Sequence, residues 1–359
     1  MKALSVKRRH VRIGMLPLAD AAPLLVAREL GYFAGQGLDV SLSVEASWAN
    51  VRDKLATGLI DAAQLLAPMP LAANLGADQL GVEMETALVL SRNGNSITVS
   101  NELYREMCAP APEPQAAGRA LRRVIERERS PGYQQRRRRR VFAHVFPFST
   151  HHYLLRDWLS ASGVDPDLDV NLMVLPPDRV IDAMREGRID GFCVGAPWGR
   201  AAELEGVGRR VLATHMIRPG CAEKVLGVAR NWATLNPAAH LSIVAALIEA
   251  GRWLEQPGHR SEAAQMLIDA KLINAPDASV RAALSDNGDD PLGAQFIFGV
   301  GETLSPHHDD ARWFVSQMQR WRQARENRDV QHLVDSSFRL RIHGQASAMA
   351  TSVAAAAAQ

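Results

Sequence analysis

The chain is predicted to be an α/β protein of two similar lobes around a cleft, followed by a helical C-terminal extension. Three observations predict this. A β-α-β-α-β run with short loops occupies residues 11 to 70, which implies a parallel sheet. The same run recurs about 130 residues later in the same register. From Asn236 onward the chain reads as helix with little strand signal.

In order, Val11–Leu18 reads as a first strand and Pro23–Leu30 as a helix, with Asp20 as a cap candidate and Gly31 as its stop. Leu38–Val44 alternates at period two and reads as a strand. Trp48–Ala56 reads as a helix, and Ile60–Leu66 as a short strand ended by Pro68 and Pro70. Strand-like segments Ala87–Ser91 and Ser96–Ser100 flank Asn93-Gly94, a turn suited to a crossover between lobes. Pro110–Pro114 reads as a linker and Ala116–Arg129 as a surface helix.

The second run opens with the apolar strand Val141–Phe146. Ser149 and Thr150 are residue types that cap helices, and Leu154, Leu155, Trp158 and Leu159 recur at helical spacing. Leu16-Pro17-Leu18 matches Phe146-Pro147-Phe148, and Leu38–Leu42 matches Leu168–Leu172. Gly58–Ala62 matches Gly187–Gly191, and Ala67-Pro68 matches Ala196-Pro197. Val211-Leu212 and Val225–Ala229 read as strands that return the chain, and helices are expected over Leu241–Leu254, Ser261–Lys271 and Asp309–Gln323. Lobe 1 is thus expected from residues 11–98 plus 215–340, and lobe 2 from 99–214. The Ala/Ser-rich tail 345–359 is expected to be disordered.

Composition bounds the function. A chain of 359 residues with 47% hydrophobic and 22% charged residues suits an ordinary globular protein of two domains. The net charge of +2 is uneven, because Arg119 to Arg140 carries ten arginines against two glutamates, leaving −6 for the rest. Arg136–Arg140 has no interleaved aromatics or RNA-binding motif, so it reads as a solvated loop and no direct nucleic-acid contact is expected. Cys108, Cys193 and Cys221 are widely spaced and fit free thiols in a reducing compartment. The N-terminus lacks an apolar leader core and no 18-residue apolar run occurs, so a cytoplasmic protein without membrane contact is expected. No GxSxG, Walker A, GxGxxG or HExxH motif is present, and neither an enzyme activity nor a cofactor is expected.

The candidate site residues follow from placement. His151 falls in the first turn of a helix just past the carboxyl end of a strand, where ligands of α/β sheets bind and free backbone N–H groups favour an anion. An arbitrary histidine there more often packs locally, and His152, about 100° round the helix, is read as solvated or packed. Trp48 starts the corresponding helix of lobe 1, where it can wall a ligand and offer its indole N–H. Lys224 enters an apolar strand that should return to the cleft. His307-His308-Asp309-Asp310 resembles a metal cluster but suits a helix start, and Asp286–Asp290 lacks EF-hand spacing and reads as a turn.

These segments also resemble a known family. L-P-L-A-D-A-A-P-L, E-L-G-Y-F, G-L-D-V and E-A-S-W in the first run resemble the nitrate/bicarbonate-type substrate-binding proteins of ABC transporters. T-H-H-Y-L-L-R-D-W-L, P-P-D-R-V, F-C-V-G-A-P-W and E-K-V-L-G-V extend the match over about residues 11–255. The resemblance implies the type II periplasmic-binding-protein fold. Within the family the chain is most similar to the cytosolic NasS-type nitrate/nitrite sensors. Those partner a NasT-like antiterminator, an RNA-binding ANTAR-domain protein, and release it when nitrate or nitrite binds. A transport receptor for nitrate or a related anion is the alternative. Nitrate-binding members place ligand contacts at motif positions that fall here on Trp48, His151 (with Thr150 beside it), Gly195 and Lys224. A fifth contact, a glutamine near the N-G turn, falls on Asn95. The V-G-E-P-W motif reads V-G-A-P-W here, with Ala196 in place of the glutamate. Lys224 is taken to favour nitrate or nitrite over bicarbonate, whose cation-assisted site would favour carboxylates.

Overall fold

A computed structural model describes residues 8–130, 138–285, 290–325 and 329–357, with side chains as far as Ala350. Two five-stranded sheets form the two lobes. The first takes β1 (Arg9–Met15), β2 (Leu38–Val44), β3 (Ala62–Leu66), β4 (Met84–Arg92) and β10 (Ala222–Ala229), in the order β2-β1-β3-β10-β4. The second takes β5 (Asn95–Ser100), β6 (Arg140–His144), β7 (Val170–Val174), β8 (Gly191–Gly195) and β9 (Gly208–Ala213), in the order β7-β6-β8-β5-β9.

The two sheets share one plan. β1 pairs in parallel with β2 and β3, as β6 does with β7 and β8. The fourth strand of each sheet, β10 or β5, runs antiparallel to both neighbours. The 130-residue repeat therefore reflects two copies of one topology, with an apolar core beneath each sheet. The chain crosses between lobes at Asn93-Gly94 and again between Ala213 and Ala222.

The first crossing is tightly built. Gly94 has φ +100°, and a Cβ there would fall 2.0 Å from a ring carbon of Phe296, which is buried. Backbone strain and the clash act together, so Gly94→Ala is expected to cost about 2 kcal/mol. Urea unfolding should show a lowered midpoint with an unchanged slope; an unaltered midpoint would mean the ring moves aside freely.

The C-terminal helices clasp both lobes. In the helix His308–Arg320, Asp310 pairs with Arg92 of β4 at 2.7 Å, while Arg320 reaches Asp157 at 2.7 Å. Gln323 accepts from Tyr153 Oη (2.8 Å) and donates to the Pro147 carbonyl (2.9 Å), pinning the start of the helix Thr150–Ala161.

Three expectations are corrected. The tail expected to be disordered from Gln345 belongs to a helix, Leu340–Ala357, that packs on the helix Pro237–Leu254 and on β4. Alanine is the strongest helix former, and Ala346 and Ala350, one turn apart, are fully buried against that neighbour. Arg140 is not a solvated loop residue. It is 1% exposed and bonds Glu106, Glu128 and Asp190, so each carboxylate lies against a fixed guanidinium. Arg138 also reaches Asp190, at 2.9 Å, whereas Arg136 and Arg137 lie outside the described residues. Finally, Asp20 does not cap a helix. It sits in a one-turn 3-10 segment, Ala19–Ala21, and the helix Ala22–Glu29 begins without a side-chain cap.

The His307–Asp310 segment opens a helix, and among the described residues no three His, Cys, Asp or Glu side chains are placed to hold a metal. Of Asp286–Asp290 only Asp290 is among the described residues. No described helix is long and apolar enough to cross a membrane.

Candidate functional site

The carboxyl ends of β1, β2, β6 and β8 converge where the two lobes meet. The helix Trp48–Ala56 follows β2, with Ser47 Oγ accepting from Asn50 N at 3.2 Å. The helix Thr150–Ala161 follows β6, with Ser149 Oγ accepting from His152 N at 3.0 Å. Each cap fixes the first turn, so Trp48 and His151 enter the interface from opposite sides. Direct contact closes the lobes here, since Ala19 N donates to Ala196 O across the cleft at 3.1 Å.

At the centre lies a buried ionic ring. Lys224 Nζ is 2.9 Å from Asp20 Oδ2 and 2.8 Å from Glu223 Oε1. Glu223 Oε1 is also 3.3 Å from His151 Nδ1, and Glu223 Oε2 accepts from Asn95 Nδ2 at 2.6 Å. Gln64 Nε2 donates to Asp20 Oδ1 at 2.8 Å. Lys224 Nζ stands 5.4 Å from the centroid of the Trp48 ring, a cation–π contact. Every one of these side chains is at most 2% exposed. Gly195 ends β8 beside the ring, and a Cβ there would meet Asn95 Oδ1 at 3.4 Å and Asp20 Oδ2 at 3.8 Å.

The six residues marked by the sequence (Trp48, Asn95, Thr150, His151, Gly195 and Lys224) thus lie together where the lobes meet. Asp20, Gln64 and Glu223 were not foreseen. A regular strand sends neighbours to opposite faces, so Glu223 and Lys224 should not share a site. The register of β10 on β4 steps from Ala222 opposite Arg92 to Lys224 opposite Ser91, leaving Glu223 as the extra residue of a bulge. A bulge re-aims a side chain, and here both neighbours turn into the ring. An acidic-basic pair inside the apolar stretch Cys221–Ala229 was the available signal.

Electrostatics define the states present. Burial alone would lower the Lys224 pKa, but Asp20 and Glu223 outweigh it and hold it above the ordinary lysine value. Burial raises Asp20, and Glu223 adds to that, against Lys224 and Gln64. Burial, then Lys224 and His144, hold His151 well below the histidine range, so its imidazole is neutral. The ring therefore sets one lysine ammonium against two buried carboxyl groups. Among the described residues, Trp48 Nε1 and Thr150 Oγ1 are buried without a hydrogen-bond partner, as is Asn95 Oδ1. Unspent donors of this kind are costly, and each is a contact available to a small polar ligand. Burial and Glu223 push the Cys193 thiol well up, which leaves it protonated and unreactive.

His152 is packed and not solvated. Its Nδ1 lies 3.2 Å from His144 Nε2, and both rings are buried beneath the helix start.

The chain is similar to proteins named for bicarbonate or nitrate transport and binding. The bicarbonate transport ATP-binding protein CmpC of Synechococcus elongatus is 33% identical over 318 residues, covering 88% of this chain but 46% of CmpC. The chain therefore spans about half the length of such relatives. The bicarbonate-binding protein CmpA of the same organism is 31% identical over 339 residues, covering 89% of this chain and 72% of CmpA. Among solved structures, the periplasmic nitrate-binding protein NrtA of Synechocystis superposes with TM-score 0.86 at 26% identity, covering 96% of this chain and 89% of NrtA. Its two lobes and helical C-terminal region are the periplasmic-binding-protein architecture seen here. A family model described as the NMT1-like family matches residues 5–268, and with relatives of the NrtA and CmpA type over most of its length, the chain belongs to that family.

Proposed function

We propose that the ring between the lobes binds a small planar oxyanion of the nitrate, nitrite or bicarbonate class, and that lobe closure on it is the working motion. The observation that carries this reading is the convergence from both lobes of Lys224, Asn95 and His151 with two unpartnered donors, Trp48 Nε1 and Thr150 Oγ1. Such a ligand offers little apolar area, so charge and several N–H or O–H contacts must supply its affinity. The names of the relatives, which bind nitrate, nitrite or bicarbonate, support the same class. The ring contains two carboxylates as well as a lysine, so Lys224 alone does not separate nitrate from bicarbonate.

In its fuller form the reading is a cytoplasmic NasS-type sensor. The ligand-free protein would hold a NasT-like RNA-binding antiterminator inactive, and nitrate or nitrite would release it through a population shift between lobe arrangements. This form rests on the sequence resemblance. The second reading, a binding component of an anion transporter, is favoured by the transport functions named for the relatives. Both readings make the protein a binding protein and not an enzyme.

Calorimetric titration with nitrate, nitrite, bicarbonate and an alkanesulfonate should show binding of one or more of the first three and none of the sulfonate. Absence of heat in all arms defeats the anion reading. A pull-down of the antiterminator that weakens on adding nitrate or nitrite supports the sensor; capture that ignores both anions removes it.

A further inference from the structure

We infer that the Glu223 carboxylate is a built-in anion: across the closed lobes it holds donors that an anion uses, and it must yield them when one binds. The inference rests on the anion reading of this site and adds how occupancy is controlled. Two donors assigned to the ligand already have a partner, and it is the same one, while a third stands close to it. Glu223 Oε1 accepts from Lys224 Nζ (2.8 Å) and Oε2 accepts from Asn95 Nδ2 (2.6 Å), while His151 Nδ1 lies 3.3 Å from Oε1 without a hydrogen bond to it. Asn95 and His151 come from lobe 2, while Glu223 and Lys224 come from β10 of lobe 1. A carboxylate is planar and monoanionic, like nitrate and bicarbonate, and here it bridges the lobes as a ligand would. The bulge at Glu223 is what points it inward beside Lys224.

Charge gives the second argument. The ring sets a single lysine against two carboxyl groups, with His151 neutral beside them. A monoanion entering it adds a third acidic group to a fully buried site with one cation, where unpaired charge is strongly disfavoured. Binding therefore draws a proton onto Asp20, whose pKa burial already raises and Lys224 holds down, as the anion takes over Lys224. Among the described residues, Glu223 is faced by Lys224 and Cys221 on or beside its own strand, Asp20 from the turn after β1, Asn95 on β5, Cys193 on β8 and His151 from its helix. The linkage has a definite sign. The liganded state holds more protons than the free state, so affinity rises as pH falls.

Titrating wild type and Glu223→Gln with sodium nitrate, sodium nitrite and sodium bicarbonate tests this. Each titration is run in two buffers of different ionisation enthalpy. Gln keeps the shape, and Asn95, whose Oδ1 is unpartnered, can turn its amide to meet it. Wild type should take up about one proton per anion bound. Glu223→Gln should bind at least tenfold more tightly and take up less. Equal or weaker affinity in a folded Glu223→Gln overturns the built-in-anion role and leaves the anion site standing. Should that variant fail to fold, wild type decides: binding without proton uptake overturns the inference. Wild type binding none of the three overturns the anion reading itself, and this inference with it.

Discussion

Lys224→Ala is expected to lose about 3–5 kcal/mol of folding stability at pH 8, together with all measurable anion binding. Lys224 is the only cation within hydrogen-bonding reach of two buried carboxylates among the described residues of the ring. Removing it leaves Asp20 and Glu223 facing each other in a site without solvent, and neither can be neutralised by turning outward. The lysine is therefore a structural counter-ion as well as a ligand contact, and its loss of binding cannot be read without its loss of stability. Two further measurements separate the roles. In the Asp20→Asn, Lys224→Ala double variant the like-charge repulsion is gone, so much of the stability should return while binding does not. Acidification should do the same. Asp20 already has a raised pKa in the folded protein, and without Lys224 it rises further. A carboxyl with a raised folded pKa favours the folded state at low pH and loses that advantage as pH rises through the folded value. The difference between Lys224→Ala and wild type should thus be largest at pH 8 and shrink toward pH 5. A difference that is constant with pH would show that packing, and not charge, is what Lys224 supplies.

The lobes were legible because their signals are redundant. Each strand of the first run has a partner of similar length and pattern in the second, and Trp48–Ala56 begins and ends where its Ser47 cap and the Gly58 stop place it. Trp48 and His151 were legible for the same reason, since a cap residue after a strand locates a helix start at the sheet's carboxyl edge. Glu223 was hidden because the alternation of a strand assigns only one of two neighbours to a face, and a bulge cannot be read from one sequence. Asp20 was hidden by resemblance to a cap: the acidic residue before Pro23 is a helix-start pattern, and only the fold shows that it turns to Lys224 instead. The alanine-rich tail misled in the other direction. Its composition looks like a sequence with nothing to bury, yet alanines spaced one turn apart let two helix backbones approach closely.

Stability is expected to fall by about 2 kcal/mol for each of His144 and His240 between pH 8 and pH 5. Burial holds both imidazoles down at about 4 in the folded protein, against the ordinary value of 6.5. Between those values the unfolded chain binds protons that the folded chain does not. Their contribution is therefore complete above pH 6.5 and is lost as pH falls toward 4. His151 and His152 lie in the same direction, which steepens the slope. The buried carboxyls Asp20, Glu85 and Asp157 oppose it, because their raised values let the folded protein gain protons on acidification. That opposing gain grows toward the carboxylate range, so the descent from pH 6.5 to 5 belongs mainly to the histidines. Urea midpoints at pH 8, 6.5 and 5 measure it. His144→Asn keeps a donor for the Phe146 carbonyl, which His144 Nδ1 meets at 3.1 Å, and removes the titrating ring. It should flatten the slope by about one proton, or roughly 1.4 kcal/mol per pH unit. A wild-type stability that is level or rising over this range would mean that these rings are solvated in the folded protein. Because His144 and His152 sit under the helix that carries His151, the same acidification should loosen the lobe 2 half of the ring before the rest of the chain. Amide exchange should then quicken first in residues 144–155.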